Sequence, residues 1–263
     1  MNSKAGQRNI LVLGASSPGG VGWVAAKRFA AAGAKVAVSA RRPDTLAQLA
    51  SEIGGLAFPC DIADEAQVLA LAKSLKEQLS HVDAVVNAVG KVVSGTIESA
   101  SIADLREAME VEYFGLFLAL KHLGPIIKDG GAFVTISSLA STHYVPGVLP
   151  YANAKAAANS LVKFAAVELA PRRIRVNSIL PGSIDTPMMD PIRDNPAVMK
   201  MVTREVPLGR VATAGEIAAA AEWLCADECF MTGCLLPVDG GNHLRRAPFP
   251  DEMPASVFDS KSA

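Results

Sequence analysis

Short apolar stretches alternate along the chain with longer stretches in which apolar residues recur every three or four positions. Short runs of Val, Ile, Leu and Ala are typical of strands buried in a parallel sheet, and the longer period indicates helices that cover it. The pattern predicts strands at 9–14, 35–40, 55–59, 82–87, 131–137, 174–180 and 234–238. It predicts helices near 21–32, 44–53, 64–79, 101–123, 151–170 and 214–225, with another within 190–205. The predicted fold class is α/β, a doubly wound parallel sheet of about seven strands with helices on both faces.

Local signals at the helix ends agree with this pattern. Gly33 and Gly54 stand where helices should end, and Ser101 with Asp104 resembles a capping box. We predict one domain over residues 1–242. Residues 243–263 contain three prolines among polar residues and are predicted to form a tail, either flexible or folded over a pocket.

Composition excludes several functional classes. The chain has 25 basic and 26 acidic side chains and a net charge of −1, so it lacks the basic surplus typical of nucleic-acid or membrane-surface binding. No apolar run resembles a secretory segment or a membrane span, so a cytoplasmic location is expected. Four cysteines are too few for a disulfide scaffold, and Cys225, Cys229 and Cys234 lack a Cys-x-x-Cys pair, so no metal site is predicted.

A glycine-rich segment follows the first predicted strand and leads into a helix that begins near Val21. Strand, glycine turn and helix in this order typically bind a diphosphate, because glycine permits close backbone approach and the helix N-terminus offers free N–H groups. The alternative is an ordinary flexible turn. The residues predicted to bind the cofactor in this segment are Gly14, Ser16, Ser17, Gly20, Val21 and Gly22.

The end of the second strand indicates which nicotinamide cofactor is preferred. An acidic side chain there would bind a ribose 2′-hydroxyl, but the chain carries Arg41 and Arg42, whose guanidinium groups suit a 2′-phosphate. NADP(H) is therefore the predicted cofactor, with NAD(H) as the alternative. In the other interpretation, the two arginines are only the solvated side chains of a loop.

Tyr151 and Lys155 lie four residues apart in a segment of high helix propensity, so they share one face of a helix. A neighbouring ammonium favours the phenolate form of a tyrosine and is expected to lower its pKa toward neutrality. Ser138 ends a predicted strand at the edge where open α/β sheets bind ligands. Its hydroxyl could hold a carbonyl or alkoxide oxygen.

Together these motifs resemble the short-chain dehydrogenase/reductase family, and the resemblance covers the chain to about residue 242. It implies a Rossmann-type fold and hydride transfer between a nicotinamide and a carbonyl or alcohol. It further implies that Ser138 orients the carbonyl, that Tyr151 donates or accepts the proton, and that Lys155 binds the nicotinamide ribose. The remaining cofactor contacts that it implies are Asp61, Ile62, Asn87, Ala88, Gly90, Pro181, Gly182, Ile184 and Thr186.

The resemblance also implies a homo-oligomer, a dimer or tetramer, assembled through the helices that hold Tyr151 and Glu112. The sequence departs from the family pattern at the glycine loop and at Glu112, and both departures bear on the reaction. The glycine loop has five residues between Gly14 and Gly20, as in the branch of enoyl-thioester reductases, whereas the Tyr151–Lys155 spacing is that of ketoreductases. A ketone or secondary alcohol is therefore the predicted substrate. The alternatives are an enoyl-thioester reductase and a non-catalytic NADP-binding sensor or scaffold.

Glu112 stands where the family usually has an asparagine of the catalytic tetrad. Helical spacing places it on one stripe with Leu105, Met109 and Leu116, so its carboxylate is expected to face inward. A buried carboxylate needs a compensating cation, and Lys155 is the candidate. Our hypothesis is that Glu112 replaces the asparagine in a proton relay behind Lys155; the alternative is an exposed helix charge.

In this fold, the substrate contacts come from the segments that follow the fourth, fifth and sixth strands. Their side chains are mostly apolar here, which suits a hydrophobic small molecule. His143 and Tyr144 could bind a distal polar group, although exposed loop residues are the alternative. The predicted substrate contacts are Val92, Leu139, His143, Tyr144, Val145, Met188 and Met189.

Overall fold

A computed structural model describes residues 7–249 and residue 252, and the side chains at 191 and 192 are not part of that description. The strands are β1 (Asn9–Leu13), β2 (Lys35–Ala40), β3 (Leu56–Pro59), β4 (Val82–Asn87), β5 (Ile127–Ile136), β6 (Arg175–Pro181), β7 (Ile184–Asp185), β8 (Ala212–Thr213) and β9 (Leu235–Val238). Seven of them form one parallel sheet in the order β3-β2-β1-β4-β5-β6-β9. The predicted doubly wound fold class is confirmed.

The helices that cover the sheet are α1 (Val21–Ala31), α2 (Pro43–Ile53), α3 (Glu65–Leu79), α4 (Ile102–Met109), α5 (Gly115–Leu123), α6 (Leu149–Glu168), α7 (Asp190–Arg193), α8 (Pro196–Arg204) and α9 (Ala214–Cys225). The capping box at Ser101 and Asp104 is present, and Gly54 ends α2 in the left-handed conformation. In the described chain, none of the helices is long and apolar enough to cross a membrane.

The core has two halves because successive side chains of a strand point to opposite faces. In β1, Ile10 and Val12 pack on the face covered by α1, α2 and α9, whereas Leu11 and Leu13 pack on the face covered by α3, α5 and α6. The order of the strands reverses at β1, which pairs with β2 on one side and β4 on the other. Such a reversal opens a crevice at the carboxyl ends of the strands, where ligands bind.

The predicted helix at 101–123 is wrong in one respect, because a wide π-helical turn at Glu110–Phe114 separates α4 from α5. Such turns interrupt the regular periodicity and often occur at functional sites. Gly115 follows the turn, and a Cβ there would lie 2.8 Å from Cγ2 of Ile62, so the close packing of this helix on the segment after β3 favours glycine. The turn determines where the side chains of Val111 and Glu112 lie.

Two further features were not predicted. β5 begins at Ile127 rather than near 131, and its register with β4 shifts between Val82 and Ala84. β7 and β8 form a separate two-stranded parallel sheet. A short 3₁₀ helix at Asn242–Leu244 spans the predicted boundary of the tail, and the rest of the tail beyond 249, residue 252 apart, lies outside the described residues. The boundary at 242 therefore stays a prediction.

Candidate active site

A cleft of about 340 Å³ lies at the carboxyl ends of β1, β2, β4 and β5. This volume is within the usual range for small-molecule sites. The predicted cofactor residues that line it are Gly14, Ser16, Ser17, Gly20, Val21, Gly22, Arg41, Arg42, Asp61, Ile62, Ala88, Gly90, Tyr151, Lys155, Ile184 and Thr186. The structure thus brings together residues that are spread over more than 170 positions of the sequence.

The glycine loop leaves the N-terminus of α1 open. The cap residue Gly20 makes no side-chain hydrogen bond, and the first turn of α1 holds no acidic residue. A Cβ at Gly22 would lie 2.5 Å from the carbonyl oxygen of Gly14, and Gly14 itself has φ +78° and abuts the backbone of Ala88. These glycines allow the loop to pack closely on itself and on Ala88, and the open N-terminus of α1 lines the cleft, which suits an anionic diphosphate.

Arg42 is not a free surface side chain. Its Nη2 donates to the carbonyl oxygen of Ser16 at 2.7 Å, and its Nε donates to the hydroxyl of Ser16 at 3.2 Å. These bonds fix one guanidinium beside the glycine loop, at the wall of the cleft. Arg41 also lines the cleft. Both arginines are exposed, so the interpretation as solvated side chains stays open.

Tyr151 and Lys155 lie one turn apart near the start of α6. The ammonium of Lys155 is 5.7 Å from the centre of the Tyr151 ring, and it donates to the carbonyl oxygen of Ile136 at 2.8 Å. Ser138 follows the end of β5, where its hydroxyl accepts the N–H of Ala140, and it acts on the Tyr151 phenol by hydrogen bonding. The three predicted catalytic residues are therefore adjacent, and Tyr151 and Lys155 line the cleft, whereas Ser138 does not.

Glu112 faces inward, as expected from its helical stripe, and only 4% of its surface is exposed. Its Oε2 lies 2.7 Å from Nζ of Lys155, and its Oε1 accepts the backbone N–H of Lys91 at 2.7 Å. The carboxylate and the ammonium therefore form a buried ion pair directly behind Tyr151. An exposed helix charge, the alternative for Glu112, is wrong.

The pKa of Tyr151 is raised above its usual value, which corrects the expectation that Lys155 would lower it overall. Burial is the largest cause, and the charge of Glu112 adds to it; the charge of Lys155 and the hydrogen bond of Ser138 act in the opposite direction but do not prevail. Burial also disfavours the Lys155 ammonium, but the attraction of Glu112 and Tyr151 outweighs it, so the pKa of Lys155 is raised. The ion pair is thus kept charged.

Ser137 lines the same end of the cleft and was not predicted. It is 6% exposed, and in the described part of the chain its Oγ is the one buried side-chain oxygen or nitrogen that has no hydrogen-bond partner. A buried hydroxyl without a partner is unfavourable, so this one points to a polar ligand atom that would complete its hydrogen bonding. Val89, Lys91, Val111, Ile136 and Pro187 also line the cleft without having been predicted.

Several predicted cofactor residues lie outside the cleft. Asn87 is buried behind it, where its side chain donates to Thr135 and accepts the N–H of Val89, so it supports the turn after β4. Pro181 ends β6 in the sheet, and a Cβ at Gly182 would meet Asp239 at 3.2 Å. Asn87, Pro181 and Gly182 therefore pack against protein atoms behind the cleft and do not line it.

Of the predicted substrate residues, Met188 lines the cleft. Leu139 and Met189 are buried in packing, whereas Val92 and Tyr144 are exposed and Val145 is partly exposed, and none of them lines the cleft. His143 also lies outside it. Its Nε2 bonds the carbonyl oxygen of His243 at 2.9 Å, and Asp239 bonds the ring of His243 at 3.0 Å. His143 therefore ties the loop after β5 to the segment that follows β9.

Metal-ligating side chains do not converge. Over residues 7–249 and 252, no group of three or more His, Cys, Asp or Glu residues could hold a metal ion. The four cysteines are free, and Cys60, Cys225 and Cys229 are buried. Burial raises the pKa of Cys60 to about 11 and that of Cys225 to about 12, so both are unreactive thiols.

Comparison with known proteins gives a consistent result. Residues 14–243 match the family whose description is enoyl-(acyl carrier protein) reductase. The trans-4-hydroxycyclohexanecarboxylate dehydrogenase of Sinomonas cyclohexanicum is 32% identical over 263 residues, which covers 94% of this chain and 98% of that protein. The 7alpha-hydroxysteroid dehydrogenase of Escherichia coli is 34% identical over 239 residues, 88% of this chain and 92% of that protein.

Solved structures agree with these relatives. A short-chain type dehydrogenase/reductase from Mycobacterium ulcerans superposes with a TM-score of 0.90 at 31% identity, covering 96% of both chains. A 3-ketoacyl-(acyl-carrier-protein) reductase from Brucella melitensis, solved in complex with NADH, superposes with a TM-score of 0.81 at 30% identity, covering 90% of this chain and 98% of that one.

Proposed function

Because the chain belongs to the short-chain dehydrogenase/reductase family, which binds NAD(P)H, and is an oxidoreductase acting on CH–OH groups, we propose that it uses NADP(H) to interconvert a ketone and a secondary alcohol on a largely hydrophobic small molecule. The observation that carries this proposal is the pair of Tyr151 and Lys155 lining one end of the cleft, with Ser138 beside the Tyr151 phenol. A sensor or scaffold would need the cofactor but not a positioned acid.

The catalytic roles follow from the groups in the cluster. The cofactor, when bound, supplies or takes the hydride. During reduction, the hydroxyl of Ser138 holds the carbonyl oxygen, and Tyr151 donates its phenolic proton to that oxygen as it becomes an alkoxide. During oxidation, Tyr151 accepts the proton of the alcohol. Lys155 has one ammonium N–H beyond those bonded to Ile136 and Glu112, and it would hold the nicotinamide ribose.

The residues of the cleft fit the dinucleotide along its whole length. The open N-terminus of α1 would bind the diphosphate, and the unpartnered hydroxyl of Ser137 would bind a polar atom at the nicotinamide end. Asp61 and Ile62 would contact the adenine. The guanidinium that Ser16 fixes at Arg42 favours NADP(H) over NAD(H), because it offers charged donors to a 2′-phosphate.

The class of substrate is inferred from the wall of the cleft and from the relatives. Ile184, Pro187 and Met188 give the substrate end an apolar lining. The names of two relatives specify a hydroxycyclohexanecarboxylate and a hydroxysteroid, both of which carry a ring alcohol. A cyclic secondary alcohol or ketone is therefore the first substrate to test.

Enoyl-thioester reduction is the second candidate. The description of the matching family and the five residues between Gly14 and Gly20 favour it. The one-turn spacing of Tyr151 and Lys155 favours carbonyl chemistry instead, since it places the proton donor and the ammonium next to each other.

We also infer a homo-oligomer, a dimer or tetramer. Large apolar side chains are exposed on α5, which follows Glu112, and on α6, which holds Tyr151. They are Phe114 just before α5, Phe117 on α5, and Phe164 and Val167 on α6. Exposed apolar groups of this kind are typical of surfaces buried on association.

The test is consumption of NADPH and of NADH by the purified protein with cyclic ketones, open-chain ketones and an enoyl-thioester, each repeated with Tyr151→Phe. We expect ketone turnover that is faster with NADPH and that falls by roughly 10²–10⁴-fold in Tyr151→Phe, the usual contribution of a general acid. Tyr113→Phe, which removes a hydroxyl from a tyrosine outside the cleft, is the control and should retain turnover. Ketone turnover that survives Tyr151→Phe would overturn the proposed role, and turnover of the enoyl-thioester alone would replace the reaction.

A further inference from the structure

Glu112 gives this site an electrostatic balance that a neutral side chain could not give. The π-helical turn at Glu110–Phe114 carries it into the interior, where its side chain is 1% exposed and that of Lys155 is 5% exposed. Its two carboxylate oxygens bond Lys155 and the backbone N–H of Lys91, each at 2.7 Å. At this depth solvent and salt screen both charges only weakly, so both act on the neighbouring phenol.

A positive charge near Tyr151 stabilises its phenolate, and a negative charge near it stabilises its phenol. Lys155 provides the former at 5.7 Å from the ring centre, but Glu112 holds a full opposite charge 2.7 Å from that ammonium. The pair is neutral as a whole. The charge of Glu112 therefore offsets part of the stabilisation of the phenolate by Lys155.

We propose that Glu112 offsets the charge of Lys155 and thereby keeps Tyr151 as a phenol up to a higher pH, so that the free site holds the proton that reduction of a ketone requires. This inference rests on the proposed function. In this proposal Glu112 acts on Tyr151 through the charge of Lys155 and is a positioning residue. The proposal does not require a proton relay through Glu112.

A small number of charged or polar side chains faces the Tyr151 phenol and affects its pKa. From α6 it is faced by Lys155, from the π-helical turn by Glu112 and from the end of β5 by Ser138. Lys91, after β4, contacts Glu112 through its backbone, while its side-chain ammonium pairs with Glu107 at the surface. Burial and Glu112 raise the pKa of Tyr151, and Lys155 and Ser138 fail to lower it to its ordinary value.

The test is a titration of Tyr151 in the free protein. The chain has three tyrosines, so the three ring signals of protein labelled at the tyrosine Cζ can be assigned with Tyr113→Phe, Tyr144→Phe and Tyr151→Phe. We expect Tyr151 of Glu112→Gln to ionise about 1–3 pH units below Tyr151 of the wild type, the usual effect of one nearby charge. Glu112→Asp keeps the charge and should restore the high value.

Glu110→Gln is the matched control, because Glu110 is an exposed carboxylate in the same turn. It should leave the Tyr151 titration unchanged. Should Glu112→Gln fail to fold, Glu112→Asn, with the residue usual at this position in the family, provides the same neutral charge in a shorter side chain. The proposal is overturned if Tyr151 titrates at the same pH in the wild type and in a folded neutral variant. It is also overturned if Tyr151 stays protonated in both proteins.

The pH dependence of the reaction rate provides a second test of the proposal. With a secondary alcohol as substrate, the rate of oxidation rises with pH as Tyr151 ionises. The rising part of this pH–rate profile should therefore move to lower pH by the same 1–3 units in Glu112→Gln. A merely structural role would lower the rate without moving the rising part. The titration needs neither substrate nor cofactor, so it can succeed even if the proposed reaction is wrong, and the two failures are distinguishable.

Discussion

At the scale of single residues, the ion pair of Glu112 and Lys155 shows how a buried charge is tolerated. Removing two ions from water is unfavourable, and only close pairing with further hydrogen bonds offsets this. Here the carboxylate has a second bond from Lys91, and the ammonium has a second bond to Ile136. Each partner depends on the other, so the loss of one should harm stability more than the loss of both.

This dependence predicts the result of a double-mutant cycle. Lys155→Met leaves the Glu112 carboxylate buried without its cation, and we expect it to lower the free energy of unfolding by about 3–5 kcal/mol. Adding Glu112→Gln to Lys155→Met should recover a large part of that loss. Urea unfolding of the four proteins measures it. If the double variant is no more stable than Lys155→Met, the pair does not determine the stability at this position.

At the scale of elements, the sequence of β1, glycine loop and α1 depends on close backbone contact. The Cα of Gly22 lies in the first turn of α1, where any side chain would run into the carbonyl of Gly14. Gly215 occupies the same second position in α9, but a Cβ there would meet Oγ1 of Thr213 at an ordinary 3.7 Å. The two glycines thus have the same place in a helix and different surroundings.

Gly22→Ala should therefore displace the loop, lower the melting temperature and weaken NADPH binding about tenfold or more, because a Cβ 2.5 Å from a backbone oxygen cannot be accommodated without movement. Gly215→Ala should leave binding unchanged and be neutral or stabilising, since alanine favours a helix more than glycine does. Calorimetric titration with NADPH and thermal unfolding of both variants provide the comparison. Equal effects in the two variants would contradict the steric account.

At the scale of the whole molecule, charge is distributed unevenly. The chain carries a net charge of only −1, yet Arg41, Arg42, Lys91 and Lys155 all line one cleft. The fold gathers them because the carboxyl ends of parallel strands meet at one edge. Lys91 and Lys155 are paired with Glu107 and Glu112, so Arg41 and Arg42 are the cations that attract an anionic dinucleotide to a protein with no overall positive charge.

Arg42→Ala should weaken NADPH binding by about 10–100-fold and NADH binding far less, since a hydrogen bond to a charged group contributes about 1.5–3 kcal/mol. Arg41→Ala is the matched comparison and should have the smaller effect, because in the described chain no hydrogen bond to Ser16 holds Arg41 in place. Dissociation constants for both cofactors measure the selectivity. Unchanged selectivity in Arg42→Ala would favour NAD(H) as the natural cofactor or assign the 2′-phosphate to another group.

Sequence alone was sufficient for features that depend on local pattern. Buried strands such as β1, β2 and β4 follow from apolar runs, the glycine loop follows from its position between a strand and a helix, and the common face of Tyr151 and Lys155 follows from helical spacing. Each of these depends on residues a few positions apart, where backbone geometry converts spacing directly into distance.

Only the tertiary structure decided the features that depend on distance through space. The π-helical turn, the bond between Arg42 and Ser16, the unpartnered hydroxyl of Ser137 and the ion pair of Glu112 with Lys155 join segments 26 to 43 positions apart or depend on what surrounds a side chain. The direction of the Tyr151 pKa belongs to the same group. A neighbouring lysine predicts a lowered value, but burial and a second charge, neither of which is visible in local spacing, reverse it.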